Sequence, residues 1–211
     1  MKTVISNVLI ILILSSCLNV QNEISDSTRL VGGPCEGCEA IFEYGDRELK
    51  ATDTLPDFKG EGIRIKIEGT VYQKDGKTPA KDVIVYVYHT DQEGIYAPNE
   101  NSKGWGLRHG YNRTWLKTDE NGYYSFYTIK PAPYPNRGEP AHIHFTILEP
   151  NGKYYWLNSC HFEGDSLLQE NEVNPEPARG ESSGLLSMKK EGELLVGKRN
   201  IILGRNIPSY E

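Results

Sequence analysis

Two histidines two residues apart, His142 and His144, close the stretch TIKPAPYPNRGEPAHIHF, residues 128–145. On a β-strand, alternate side chains share a face, so both imidazoles project to one side while Ile143, Phe145 and Ile147 project to the other. Imidazoles fixed side by side are a chelating pair for a transition metal. A few residues upstream, Tyr134 lies between Pro133 and Pro135. The prolines stiffen the backbone and present the phenol from an ordered loop, which suits a ligand better than a surface turn. A free phenol titrates near 10, but beside a multivalent cation it ionises at neutral pH. The alternative is a surface pair of histidines, and it leaves the flanking prolines unexplained.

These residues need rigid elements to hold them, and the surrounding sequence reads as strands and turns. In IRIKIEGTVY, Ile63, Ile65, Ile67 and Val71 alternate with polar residues, the period of a half-buried strand. The Gly- and Asp-rich turn QKDGKTPAKD follows, then the β-branched and aromatic run Val83–His89. Trp115–Thr118, the turn Asp119–Gly122 and Tyr123–Ile129 form a hairpin. His142–Leu148, Tyr154–Phe162 and Leu194–Leu203 read as further strands, and a short helix is weakly signalled around Leu185–Lys190. No segment between 60 and 165 has a 3.6-residue apolar period. The expected fold is all-β, an antiparallel sandwich of about seven or eight strands. In it Tyr123, Tyr124, Phe126 and Tyr127 serve as strand core and cross-strand pairs. Trp105 and Trp115 fit either core or pocket.

The stretch TDENGYYSFYTIKPAPYPNRGEPAHIHF resembles the signature of the intradiol ring-cleavage dioxygenases, the catechol and protocatechuate dioxygenase superfamily with non-haem iron(III). The resemblance covers roughly residues 60–168 and ends in FEGDSLL. It implies that Tyr134, His142 and His144 are metal ligands. The GxY in YVYHTDQEGIYAP implies that Tyr96 is the fourth. It further implies intradiol cleavage of a catechol-type diol by O2 to a muconate-type product, with these four residues catalytic. Fe(III) with two phenolates and one hydroxide is formally neutral, so such a site can be partly buried without an uncompensated charge. No organic cofactor or reductant is required.

The sequence departs from the family pattern at two substrate-facing positions. An Arg is common three residues before the first His, where this chain has Glu139, and a family Gln falls on Ser159. Two like charges about 5 Å apart at an effective dielectric of about 20 repel by about 3 kcal/mol. A carboxylate there therefore disfavours anionic catechols unless it points away, is protonated or meets a different substrate. Arg113, Arg108 and Arg137 are candidates for the missing charge.

Composition narrows the remaining classes. The 211 residues carry 29 acidic against 23 basic side chains, a net −6, which argues against nucleic acid as a partner. The first 16 residues have the shape of a secretory signal: Lys2, an apolar run from Val8 to Leu14, then two serines. Leu14-Ser15-Ser16-Cys17 resembles a bacterial lipobox, which implies lipidation at Cys17 and an extracytoplasmic, membrane-anchored protein. The expected organisation is a signal peptide over 1–16, a lipidated tether over 17–33, an N-terminal extension with CxxC over 34–60 and the sandwich over 61–211. Cys35 and Cys38 fit a structural disulfide or dithiol better than a zinc site, leaving Cys160 free.

The other histidines read as structural or undecided. His89 reads as a hydrogen-bonded structural residue and His161 as packing at the sandwich edge. His109, in the loop GLRHGYNRTW, reads equally as pocket-lining or solvent-facing. Two rival functions fit parts of the pattern. One is a non-catalytic transthyretin-like or carboxypeptidase-regulatory-like binding module. The other is a cupin-type metal enzyme using HxH with Glu149. The sequence is compatible with an oligomer acting on a small aromatic diol and O2.

Overall fold

The computed structural model describes residues 28–211. The signal segment and Cys17 lie outside the described residues. Among the described residues, twelve strands occur in chain order. They are β1 (Arg29–Leu30), β2 (Thr52–Thr54), β3 (Arg64–Tyr72), β4 (Ile84–His89), β5 (Arg113–Lys117), β6 (Tyr123–Ile129), β7 (His142–Leu148), β8 (Lys153–Phe162), β9 (Leu185–Leu186), β10 (Lys189–Glu191), β11 (Leu194–Lys198) and β12 (Ile201–Ile202). One-turn helices α1 (Gly106–His109) and α2 (Glu170–Val173) and three short 3-10 turns complete the list. One sheet runs β1-β8-β7-β4-β5 with β9 beside β8. The other runs β10-β11-β3-β6-β2 with β12 beside β3.

The sandwich is as expected, but its sheets are mixed rather than purely antiparallel, and the short edge strands raise the count. The central pairs β3/β6, β4/β5, β4/β7 and β7/β8 are antiparallel. Parallel pairs appear where chain ends return to the sheets: β1/β8, β2/β6, β11/β3, β12/β3 and β9/β8. A parallel partner cannot be joined by a tight turn, and each of these strands is separated from its partner by a long connection or by intervening elements.

Other expectations are corrected by these edges. The segment expected as a helix over Leu185–Lys190 instead forms β9 and β10. Gly184 O accepts from His161 N and Leu186 O from Glu163 N, so pairing along β8 overrides local preference. The strand expected over Leu194–Leu203 is two strands, broken where Arg199 turns into the core to donate to Asn158 O (2.7 Å) and Cys160 Sγ (3.2 Å). Residues 29–33 do not extend the tether freely: β1 pairs with β8 and Val31 is buried.

Alternation explains the core. β3 buries Ile65, Ile67 and Val71 against Val85, Val87, Leu116, Ile143 and Phe145 of the opposite sheet. Ile63 precedes β3 and is exposed, so the alternation begins one step later than the sequence suggested. The β4–β7 sheet is covered on both faces. Tyr86 and Trp115 point outward and are buried with Leu148 under Ala40 and Ile41 of the N-terminal segment, and Trp115 Nε1 donates to Ala40 O at 3.0 Å. That outer layer frames the site.

His89 ends β4 as a structural residue. Its Nδ1 donates to Thr90 O (2.7 Å), and its Nε2 accepts from Thr128 Oγ1 (2.7 Å). Burial holds its pKa down at about 4. The unfolded chain, titrating near 6.5, binds the proton more readily, so this contribution is complete above pH 6.5 and is lost as pH falls toward 4. Over that window the wild type should lose about 3 kcal/mol more than His89→Gln, measured by urea unfolding at several pH values. Equal slopes for the two proteins would contradict the assignment.

Candidate metal centre

Tyr96 and Tyr134 sit on two loops that are tied together. Asp91 Oδ1 accepts from the backbone N–H groups of Glu93 (3.0 Å) and Ile95 (2.9 Å), closing the turn that leads to Tyr96. Thr90 Oγ1 donates to Ala132 O (2.7 Å) and Ala132 N to Asp91 O (3.2 Å), joining this turn to the proline loop of Tyr134. The histidines come from the outward face of β7, where His144 lies opposite Tyr88 of β4.

The four polar tips converge. Tyr96 Oη is 2.5 Å from Tyr134 Oη and 2.8 Å from His144 Nε2. His142 Nε2 is 3.2 Å from Tyr134 Oη and 3.1 Å from His144 Nε2. Metal–ligand bonds of about 2.0–2.1 Å at right angles set adjacent donors about 2.9 Å apart, so the spacing suits a single ion. The tautomers suit it too. His142 Nδ1 must donate to Pro140 O (2.8 Å), which leaves a lone pair on Nε2, and Ser159 Oγ lies 3.2 Å from His144 Nδ1. Burial raises both phenol pKa values and sets His144 well below the usual histidine range. Without a cation the two phenols are thus neutral, beside a neutral His144. A trivalent cation would favour the phenolates instead.

Among the described residues, no group of three or more His, Cys, Asp or Glu converges as a metal site. Cys35 and Cys38 form a disulfide and Cys160 is a buried free thiol. Glu149, the carboxylate a cupin reading requires, instead accepts from Tyr155 Oη (2.8 Å) and Tyr210 Oη (2.9 Å). A cavity of about 440 Å³ opens beside His144, walled by Tyr88, Trp156, Ser159, His161 and the disulfide loop. That volume holds a single aromatic ring with substituents.

A family model described as Dioxygenase matches residues 42–193. The chain belongs to this dioxygenase family. It is 31% identical over 165 residues to the protocatechuate 3,4-dioxygenase beta chain of Burkholderia cepacia, covering 71% of this chain and 68% of that one. It is 29% identical over 131 residues to catechol 1,2-dioxygenase 2 of Acinetobacter lwoffii, where the match covers 54% of this chain and only 45% of the relative. Solved structures share its fold. One is catechol 1,2-dioxygenase from Acinetobacter sp. ADP1 inhibited by bound mercury, with TM-score 0.54, 18% identity, and coverage of 83% of this chain and 60% of that one. Another is an intradiol ring-cleavage dioxygenase from Tetranychus urticae, with TM-score 0.52, 20% identity, and coverage of 84% and 94%.

Not every residue singled out in the sequence reaches the cluster. Arg113 Nη1 pairs with Glu43 at 2.7 Å and Arg108 Nη2 with Glu36 at 2.6 Å. Of the three arginines, Arg137 is the one beside the cluster, with its Cζ 5.7 Å from the Tyr134 ring centroid. Glu139 is exposed and lines neither the cavity at His144 nor the one at Tyr96 and Arg137. Sequence reasoning missed Tyr88, which stacks on His144 (4.5 Å between centroids) and on His109 (3.8 Å). Its signal was the outward step of β4 directly beside His144, which pattern alone does not reveal. His109 is buried, with Nδ1 2.9 Å from Tyr86 Oη. His161 lines the cavity rather than merely closing the sandwich edge.

Proposed function

We propose that this dioxygenase holds ferric iron through Tyr96, Tyr134, His142 and His144 and cleaves a catechol-type diol with O2 between its hydroxyl-bearing carbons, giving a muconate-type diacid. The supporting observation is the convergence of two phenol oxygens and two imidazole Nε2 atoms within 2.5–3.2 Å, with His144 bordering a ring-sized cavity. A transthyretin-like or carboxypeptidase-regulatory-like module has no use for that set. When bound, ferric iron supplies the Lewis acidity that ionises the ligands and activates a catecholate ring toward O2.

The protein's own groups do the rest. Tyr134 is only half-buried and sits on a loop, so its Oη is the better placed of the two phenol oxygens to take a proton from an entering diol. His142 and His144 are held in place through Pro140 O and Ser159 Oγ. Trp156 offers an apolar face for the ring, and Tyr88, stacked between His109 and His144, offers its edge. Asn158 and Ser159 can hydrogen-bond its oxygens and displace water.

Oxygen uptake by the iron-loaded protein with catechol, hydroxyquinol and protocatechuate tests the reading, with ring-opened product expected from at least one. Iron-loaded protein inert to every vicinal diol would refute it. The anchor is a further part of the proposal. The Leu-Ser-Ser-Cys sequence supports a mature chain that begins at Cys17 and partitions with membranes. A Cys17→Ser protein that still sediments with membranes would overturn this.

A further inference from the structure

The cavity beside His144 is lined by two carboxylates, Glu36 and Glu172, and by no Lys or Arg. Glu36 lies between the two cysteines, so the Cys35–Cys38 disulfide fixes its four-residue loop as part of the wall. At the exposed rim its carboxylate already meets Arg108. Glu172 is less committed. Its carboxylate accepts from Gln169 N (2.7 Å) in the capping box of α2, which fixes the side chain in place. Its other oxygen lies 3.9 Å from His161 Nε2, and among the described residues no Lys or Arg pairs with it. Arg179 stacks on Trp156, with Cζ 3.5 Å from the ring centroid, but its hydrogen bonds go to the carbonyls of Trp156 and Gly32, and it does not line the cavity.

His144 belongs both to the tyrosine–histidine cluster and to the wall of this cavity, so a catechol that reaches the cluster from this side directs the opposite edge of its ring into the cavity. A substituent on that edge therefore meets the carboxylates and the Trp156 ring. An ammonium group there gains an opposite charge and an aromatic neighbour in Trp156, whereas a carboxylate meets like charge in a partly desolvated space.

We propose that this pocket selects catechols bearing a cationic, ammonium-type substituent over carboxylated ones, and that Glu172 is the residue that sets the preference. This rests on the intradiol reading of the neighbouring cluster. It moves the discrimination from Glu139, which is exposed, to a carboxylate fixed in the cavity wall.

The test compares kcat/KM for oxygen uptake by the full, iron-loaded protein with aminoethylcatechol, methylcatechol and dihydroxyphenylpropionate. The wild type should favour the ammonium compound over the carboxylate by at least about tenfold. Glu172→Gln should shrink that ratio to about threefold or less, and Glu172→Lys should reverse it. A second readout needs no diol chemistry. Titrating phenylethylammonium and phenylpropionate against tryptophan fluorescence, with Trp156→Phe identifying the responding indole, should show the same order of affinity. If no diol is consumed, the intradiol reading falls while the fluorescence titration still decides the charge preference. Equal binding of the two probes by the wild type, or a ratio untouched by Glu172→Gln, would overturn the proposal.

Discussion

Replacing His144 by alanine should leave a folded protein that no longer retains iron. The side chain lies on the outer face of β7 and borders the cavity, so its loss removes no part of the sandwich core. It does remove the donor that lies 2.8 Å from Tyr96 Oη and 3.1 Å from His142 Nε2. Loss of an outer-shell partner alone typically costs a metal site about 10–100-fold in affinity, and loss of a ligand should cost at least the upper end of that range. Iron content after dialysis should fall from about one per chain to less than about a tenth of that, with the thermal midpoint changed by only a few degrees. Tyr134→Phe should behave differently. Two imidazoles and Tyr96 remain, so some iron stays, but the visible ferric-tyrosinate band should shift and weaken. An unchanged spectrum in that variant would mean that Tyr134 is not a ligand.

How much of this was legible in the sequence follows from the range of each contact. The alternation in β3 and β7 is local, so the sandwich core and the shared face of His142 and His144 could be read directly. Tyr134 was readable because its two flanking prolines are a local restraint. Tyr96 became visible only through resemblance, since the link between Asp91 and Ala132 that aims it spans some forty residues of sequence. The outer layer was hidden for the same reason. Tyr86 and Trp115 look like ordinary strand aromatics until Ala40 and Ile41 cover them. The parallel edges formed by β1, β9, β11 and β12 depend on chain segments returning from far away, which no periodicity records. Glu172 reaches the cavity from α2, in the long connection after β8, so its sequence neighbourhood shows only a short polar helix.

Gly94→Ala should weaken iron binding by about 10–100-fold while leaving the sandwich folded. Gly94 has φ +76°, and a Cβ built on it would lie 2.1 Å from Pro133 O and 2.9 Å from Pro135 Cδ. Those prolines flank Tyr134, and Gly94 precedes Tyr96 by two residues, so the contact is the point where the two phenol-bearing loops meet. The proline loop has little freedom to yield, and the turn is held by Asp91 and Thr90. Relief must come from the loops moving apart, which separates Tyr96 Oη from Tyr134 Oη. Ligand positions in a metal site tolerate about 0.2 Å, so even a small displacement is felt. Backbone strain alone would cost about 1–3 kcal/mol of stability, and that part needs a control. Gly138 provides it, because it lies in the same loop as Tyr134, has φ +65°, and an added Cβ there would meet nothing within 4 Å. Gly138→Ala should therefore show the loss of stability without the loss of iron affinity. If both variants release iron equally, the damage comes from loop strain in general, and the Gly94–Pro133 contact does not set the spacing of the phenols.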